Sequence, residues 1–117
     1  MRQWMVKPTL LCRKHLLGEH VEHHMFMGSI SKGISVEGYL RDGLLEPRTL
    51  HERHAELVTE MVRRGYNHRS PLPDVDTTHL RDGKISITRS IEDLRQRCDE
   101  CAERIKEHEK ERERETS

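Results

Sequence analysis

The residues best suited to chemistry lie within the first 22 positions. The chain opens Met1-Arg2-Gln3-Trp4, so the only tryptophan follows closely behind the α-amine, and a carboxylate comes later in the run His15-Leu16-Leu17-Gly18-Glu19-His20-Val21-Glu22. A primary amine is a nucleophile, and a carboxylate held among apolar neighbours is drawn toward proton exchange. Met1 and Glu22 are therefore candidate catalytic groups. The competing reading, a solvated surface glutamate, describes most glutamates on helices. The apolar flanks of Glu22 weigh against it, and both readings stand at this level.

Nine histidines invite a metal hypothesis. His15, Glu19, Glu22 and His23 recur at i, i+4, i+7 and i+8 and could project together. Neither His-Glu-x-x-His nor a paired Glu-x-x-His is present, and the residues one turn beyond His54 are Leu57 and Val58, with Glu56 and Glu60 on other faces. Cys98-Asp99-Glu100-Cys101 is a single C-x-x-C on an apolar stripe, so its sulfurs read as core packing. No metal and no other cofactor is expected. His54 reads as a hydrogen-bonded core histidine. His15 could orient a carboxylate or contact a nucleic-acid phosphate or base. Arg2, Arg13 and Lys14 would make a local anion-binding patch if the N-terminus folds back on the first helix; otherwise they are ordinary solvated cations.

Three helices must position these groups. Pro8 and Thr9 read as a helix entry with Thr9 as N-cap, and helical spacing continues to about Ile30. Leu10, Leu17, Val21, Met25 and Gly28 fall on one side of that helix and Cys12, Leu16, Met27 and Ile30 on another. Between them His15, Glu19 and Glu22 occupy an arc of roughly 60°. Residues 35–42 form a short helix stopped by Gly43. A second main helix spans 47–64, with Leu50, His54, Leu57, Val58, Met61 and Val62 as its buried stripe and Gly65 as a left-handed cap. Residues 67–84 read as a loop. Ile87, Ile91, Leu94, Cys98, Cys101 and Ile105 alternate four and three apart, which predicts one long third helix. The expected fold is all-α, a compact single domain of three main helices with irregular connections over residues 1–106, followed by a charged tail at 107–117 that is frayed or disordered.

Composition sets the remaining bounds. The chain has 117 residues, 32% hydrophobic and 36% charged, which supports a modest core. Twenty-one basic residues balance twenty-one acidic ones, so any contact with nucleic acid must come from a local patch. No run approaches a membrane span, and three cysteines without a framework argue for a reducing compartment. A cytoplasmic protein without membrane contact, acting as a monomer, is the expectation.

Met1-Arg2, the run 15–22, Phe26-x-Gly28, Lys32 and the stretch Arg53-His54-Ala55-Glu56-Leu57-Val58-Thr59-Glu60-Met61-Val62-Arg63-Arg64-Gly65-Tyr66 together resemble the pyrimidine-dimer DNA glycosylases, the endonuclease V family of T-even phages. Ile85-Ser86-Ile87-Thr88-Arg89-Ser90 also looks like the opening of the family's last shared helix. The similarity covers about residues 1–105. It implies a DNA repair glycosylase with abasic-site β-elimination lyase activity, in a bacterial or phage-infected cell. Its partner would be double-stranded DNA carrying a damaged base or an abasic site, with pyrimidine dimers among the candidate lesions.

The resemblance implies that the Met1 α-amine attacks the sugar C1′ to form an imine, while Glu22 stabilises the cationic sugar and assists proton transfer. An α-amine has a pKa of about 7.7 to 8.0, against about 10.4 for lysine, so far more of it is neutral near pH 7. Arg2 is bulky enough that the initiator methionine should be retained. Arg2, Arg13, Lys14, His15, Lys32 and Arg89 are the candidate DNA-binding residues, and Arg95 and Arg97 could track phosphates. Val21 and Met25 stand where the T-even enzyme carries arginines, and the charged tail replaces its aromatic-rich C-terminal end. The alternative function is a non-catalytic helical module, retaining the fold, that binds nucleic acid or protein.

Overall fold

The computed structural model describes residues 1–67 and 70–116. Five α-helices follow one another: α1 at Arg13–Ser31, α2 at Glu37–Arg41, α3 at Leu50–Arg63, α4 at Ile87–Arg97 and α5 at Asp99–Thr116. Short 3-10 turns at Pro8–Leu10 and Pro47–Thr49 precede α1 and α3. The fold is all-α, with no strand among the described residues. None of the helices is long and apolar enough to cross a membrane.

Glycine ends two helices where the sequence predicts it. Gly65 has φ +84°, and the N–H groups of Gly65 and Tyr66 return to the carbonyls of Val62 and Met61, closing the last turn of α3. Gly43, at φ +71°, does the same for α2 through Gly43 to Leu40 and Leu44 to Tyr39. Gly83 has a different role. A Cβ there would lie 1.8 Å from the Leu45 carbonyl oxygen, so only glycine lets the chain at residue 83 pass against the segment after α2.

Two expectations about the helices need correction. Thr9 does not cap the first helix: Pro8 starts a separate 3-10 turn, and α1 begins at Arg13 with Cys12 at the N-cap. The third main helix is two helices, because Cys98 between them is extended, at φ −142° and ψ 112°. An a/d stripe carries no record of such a one-residue break. The charged tail continues α5 as far as Thr116. Arg95 on α4 pairs with Glu109, and Lys110 with Glu107, giving this apolar-poor segment charged partners.

Two apolar clusters hold the fold together. One gathers Trp4, Val6, Leu11 and Leu16 with Leu57, Met61, Leu94 and Ile105; the other gathers Phe26, Met27, Ile30, Val36, Leu40, Leu45 and Leu50. Between Leu16 and Phe26 the buried residues of α1 are Glu19, His20 and His23. Between Leu50 and Leu57 those of α3 are Arg53 and His54. A polar layer thus separates the clusters, and it explains why helix-wheel reasoning misassigned α1. Val21 and Met25, assigned to an apolar side, are about half exposed at 54% and 50%. His54 is buried as expected, with its ring against those of His20 and His24 at 4.8 and 5.2 Å. Val62, placed in the buried stripe of α3, is exposed.

Candidate active site

Glu19 and Arg53 form the centre of the polar layer and anchor the chain start. Arg53 Nε and Nη2 donate to the two carboxylate oxygens of Glu19 at 2.6 and 3.0 Å, with both side chains essentially inaccessible to water. Arg53 Nη1 donates to the carbonyl of Val6 at 2.6 Å, which ties residues 1–6 to the α1–α3 contact. Burial alone would lower the Arg53 pKa, but the hydrogen bonds and charge of Glu19, aided by Glu56, raise it above its ordinary value.

Gln3 is the second anchor. Its backbone N–H donates to Leu44 O at 2.8 Å, and its side-chain oxygen accepts the N–H of Glu46 at 2.6 Å. Its Nε2 lies 3.2 Å from His23 Nε2 and 3.3 Å from Thr49 Oγ1. His23 Nδ1 is 2.8 Å from the Glu19 carbonyl, so the neutral ring donates from Nδ1 and accepts from Gln3 at Nε2. Sequence reasoning gave Gln3 no part, because nothing in a lone glutamine signals complete burial. His23, considered as a metal ligand, is committed to these two bonds.

Burial depresses the His23 pKa to about 4, more strongly than the Glu19 carbonyl raises it. In the unfolded chain an ordinary histidine takes up its proton near 6.5. Folding stability carried by the neutral ring is complete above that value and is lost as the pH falls from about 6.5 through about 4. A loss of about 2 kcal/mol between pH 7 and pH 5 follows from that difference. Thermal melts of wild type and His23→Asn across this range test it: the substitution should flatten the acid dependence.

With residues 1–6 held in this way, the α-amine of Met1 lies 3.7 Å from Glu22 Oε1. Glu22 also accepts the backbone N–H of Arg2. Burial raises the Glu22 pKa above its ordinary 4.5, while the Met1 amine and the Arg2 N–H oppose the rise. Arg2 folds back: its guanidinium sits 3.7 Å above the Trp4 ring, donates to Asp93 at 3.1 Å, and reaches Ser90 Oγ at 3.3 Å. The chain start is thereby fixed to α4 as well as to α1 and α3.

The amine and Glu22 open into a cleft of about 750 Å³. Arg2, Lys14, Arg41, Arg89 and Arg97 line it, as do His15, Trp4, Gly18 and Leu44. The carboxylates on the same wall are Glu19, Glu22 and Asp42, of which Glu19 is already matched by Arg53. The neutral chain thus concentrates positive charge at one concavity, where it suits a polyanion. Of the candidate residues, Met1, Arg2, Lys14, His15, Glu22 and Arg89 come together here. Arg13 lies outside, over the Tyr66 ring at 5.0 Å, and Lys32 is exposed at the C-cap of α1. Arg95 is engaged by Glu109. Arg41, which sequence reasoning did not single out, joins the cleft because α2 packs beside the chain start through Leu44.

No curated protein and no solved structure matches the chain. Residues 1–74, more than half of its length, match the family model for pyrimidine dimer DNA glycosylases. With an amine and a carboxylate paired in a cation-lined cleft at the start of this matched segment, the chain belongs to the pyrimidine dimer DNA glycosylase family.

Proposed function

We propose that this chain excises a damaged base from double-stranded DNA and then cleaves the resulting abasic strand, using the α-amine of Met1 as nucleophile and Glu22 as its acid–base partner. The observation that carries the proposal is the 3.7 Å approach of the amine to Glu22 within a cleft lined by five cationic side chains. The cations suit phosphates flanking the lesion, which position the strand without reading its sequence. A sugar C1′ inside a duplex is shielded, so the reaction requires DNA bending or nucleotide extrusion. Pyrimidine dimers are the substrate class that family membership suggests.

Chemically, the neutral amine donates its lone pair to C1′ as the C1′–N bond to the base breaks, and the departing base keeps that bond's electrons and takes a proton. The carboxylate of Glu22 stabilises the positive charge that develops on the sugar. It then accepts a proton from the newly bonded nitrogen and passes it to the ring oxygen as the C1′–O4′ bond breaks, which opens the ring and gives the imine. Loss of a C2′ proton expels the 3′ phosphate by β-elimination. Water finally hydrolyses the imine and regenerates the amine. No step draws on a metal.

Borohydride trapping tests the reading. Reduction in the presence of abasic-site duplex should join the DNA covalently to the peptide that begins with Met1, and mass spectrometry of the digested adduct should place the bond on the α-nitrogen. DNA binding without any trapped adduct would instead select the non-catalytic binding module. An adduct on a lysine would sink the assignment of Met1.

A further inference from the structure

One side-chain cluster has no part in this mechanism. Cys12, His15, Cys98 and Cys101 converge from two segments distant in sequence, and their four potential ligand atoms all lie within 4.8 Å of one another. The three cysteines are free thiols. Cys12 Sγ is 3.8 Å from Cys98 Sγ and 3.2 Å from His15 Nδ1, and Cys101 Sγ is 3.6 Å from His15 Nδ1.

The Cys12–Cys98 and Cys101–His15 separations match the edges of a metal-centred tetrahedron, and the Cys12–His15 separation is somewhat shorter than such an edge. Bonds of about 2.3 Å to sulfur and about 2.0–2.1 Å to nitrogen, at tetrahedral angles, give edges of about 3.8 Å between sulfurs and about 3.6 Å between sulfur and nitrogen. A group of this size encloses one ion. Three thiolates and an imidazole are a borderline-soft donor set, suited to zinc and to closed structural sites of the Cys₃His kind.

The local backbone supplies the same device twice. Cys12 is the N-cap of α1, with His15 three residues on in its first turn; Cys98 is the extended residue just before α5, with Cys101 three residues on. Each pair thus presents two ligands on one side of a helix N-terminus. The Cys101 N–H donates to Cys98 Sγ at 3.4 Å, and the Cys12 N–H to Cys101 Sγ at 3.3 Å. Backbone donors of this kind orient and stabilise ligating sulfurs. The break in the helix predicted over 87–105 has a reason here, because an uninterrupted helix would leave Cys98 without this placement ahead of Cys101. Cys98 and His15 are only partly buried, which leaves a path for the ion.

We propose that Cys12, His15, Cys98 and Cys101 bind one structural zinc ion, Cys12-x-x-His15 and Cys98-x-x-Cys101 being its two halves. The ion staples the start of α1 to the α4–α5 corner. His15 lines the cleft, and α4 carries the Asp93 and Ser90 partners of Arg2, so the staple fixes the wall against which the chain start rests. Coordination through Nδ1 leaves Nε2–H as the sole hydrogen-bonding group of the His15 ring, a donor suited to phosphate. The zinc site stands independently of whether the chain excises bases.

Elemental analysis of untagged protein, grown with zinc and purified without chelator, should find about one zinc per chain. Cobalt exchange should produce the intense visible bands of a tetrahedral ion together with near-ultraviolet thiolate-to-cobalt charge transfer. Cys98→Ser should lose zinc, whereas His15→Cys should keep it and add a fourth thiolate's worth of charge transfer; that variant keeps the test decisive if the serine protein fails to fold. Folded protein that holds no zinc, even after reconstitution with excess metal, would overturn the proposal. So would cobalt bound without thiolate charge transfer, which would point to the nearby His20, His24 and His54 cluster instead. Iron in place of zinc, or a disulfide among the three cysteines in freshly purified protein, would overturn it as well.

Discussion

A Gly-Ser extension ahead of Met1 should reduce borohydride trapping on abasic DNA to background without shifting the melting temperature. The extension turns the Met1 nitrogen into an amide, whose lone pair is delocalised. The new terminal amine can be displaced by up to about 7 Å, two residues of extended chain. It would no longer sit 3.7 Å from Glu22 Oε1. Fold stability should hold, since the anchors at Gln3, Arg2 and Val6 are downstream of the change. Glu22→Gln separates the partner from the nucleophile. The amide oxygen can still accept the Arg2 N–H, but the negative charge and proton affinity are gone, so base excision should fall by about 10²–10⁴. The acid side of the rate profile gives a further check. The amine must be neutral in both proteins, whereas only wild type should show a second bend, above pH 4.5, where Glu22 becomes protonated. Undiminished trapping by the extended protein would remove Met1 from the mechanism, and an unchanged rate with Glu22→Gln would remove the carboxylate.

The sequence made some of this arrangement readable and concealed the rest for identifiable reasons. Gly43 and Gly65 announced where α2 and α3 end, because a left-handed residue after a helical period has few other uses. Met1 and Glu22 stood as separate candidates in the residues, the family resemblance paired them, and the structure sets them 3.7 Å apart. Periodicity failed on α1 because it assumes that buried means apolar. Glu19, His20 and His23 are buried against Arg53, Gln3 and one another's elements, while Val21 and Met25 face water. Only a long-range partner makes such burial affordable, and a window along one helix does not contain it. The same limit hid the cysteine cluster. Cys98-x-x-Cys101 stood without a visible counterpart, although Cys12-x-x-His15 has identical spacing, because 86 residues separate Cys12 from Cys98. Arg41 likewise reaches the cleft through helix packing that charge counts along the chain do not convey.

Removing one member of the Glu19–Arg53 pair should cost about 3–5 kcal/mol of folding stability, since a fully buried charge would lose its counter-ion. That is a large share of the roughly 6–18 kcal/mol expected for a chain of this length. Arg53→Met is the more severe of the two substitutions. It leaves the Glu19 carboxylate, 0% exposed, with no cation, and it releases the Val6 carbonyl. Glu19→Leu leaves Arg53 with Glu56 at 3.1 Å and with Val6, so its cost should lie at the lower end. The double substitution should be less destabilised than Arg53→Met alone, because two apolar side chains of similar bulk need no solvation. Denaturant unfolding of the four proteins measures this coupling, and strictly additive losses would show that the pair does not act as a unit. Activity supplies the functional half of the argument. Even a folded double variant lacks the 2.6 Å bond from Arg53 to Val6, so residues 1–6 are less firmly held and the amine spends less time beside Glu22. Base excision should therefore remain impaired after stability is largely restored, which would distinguish positioning of the chain start from stability alone.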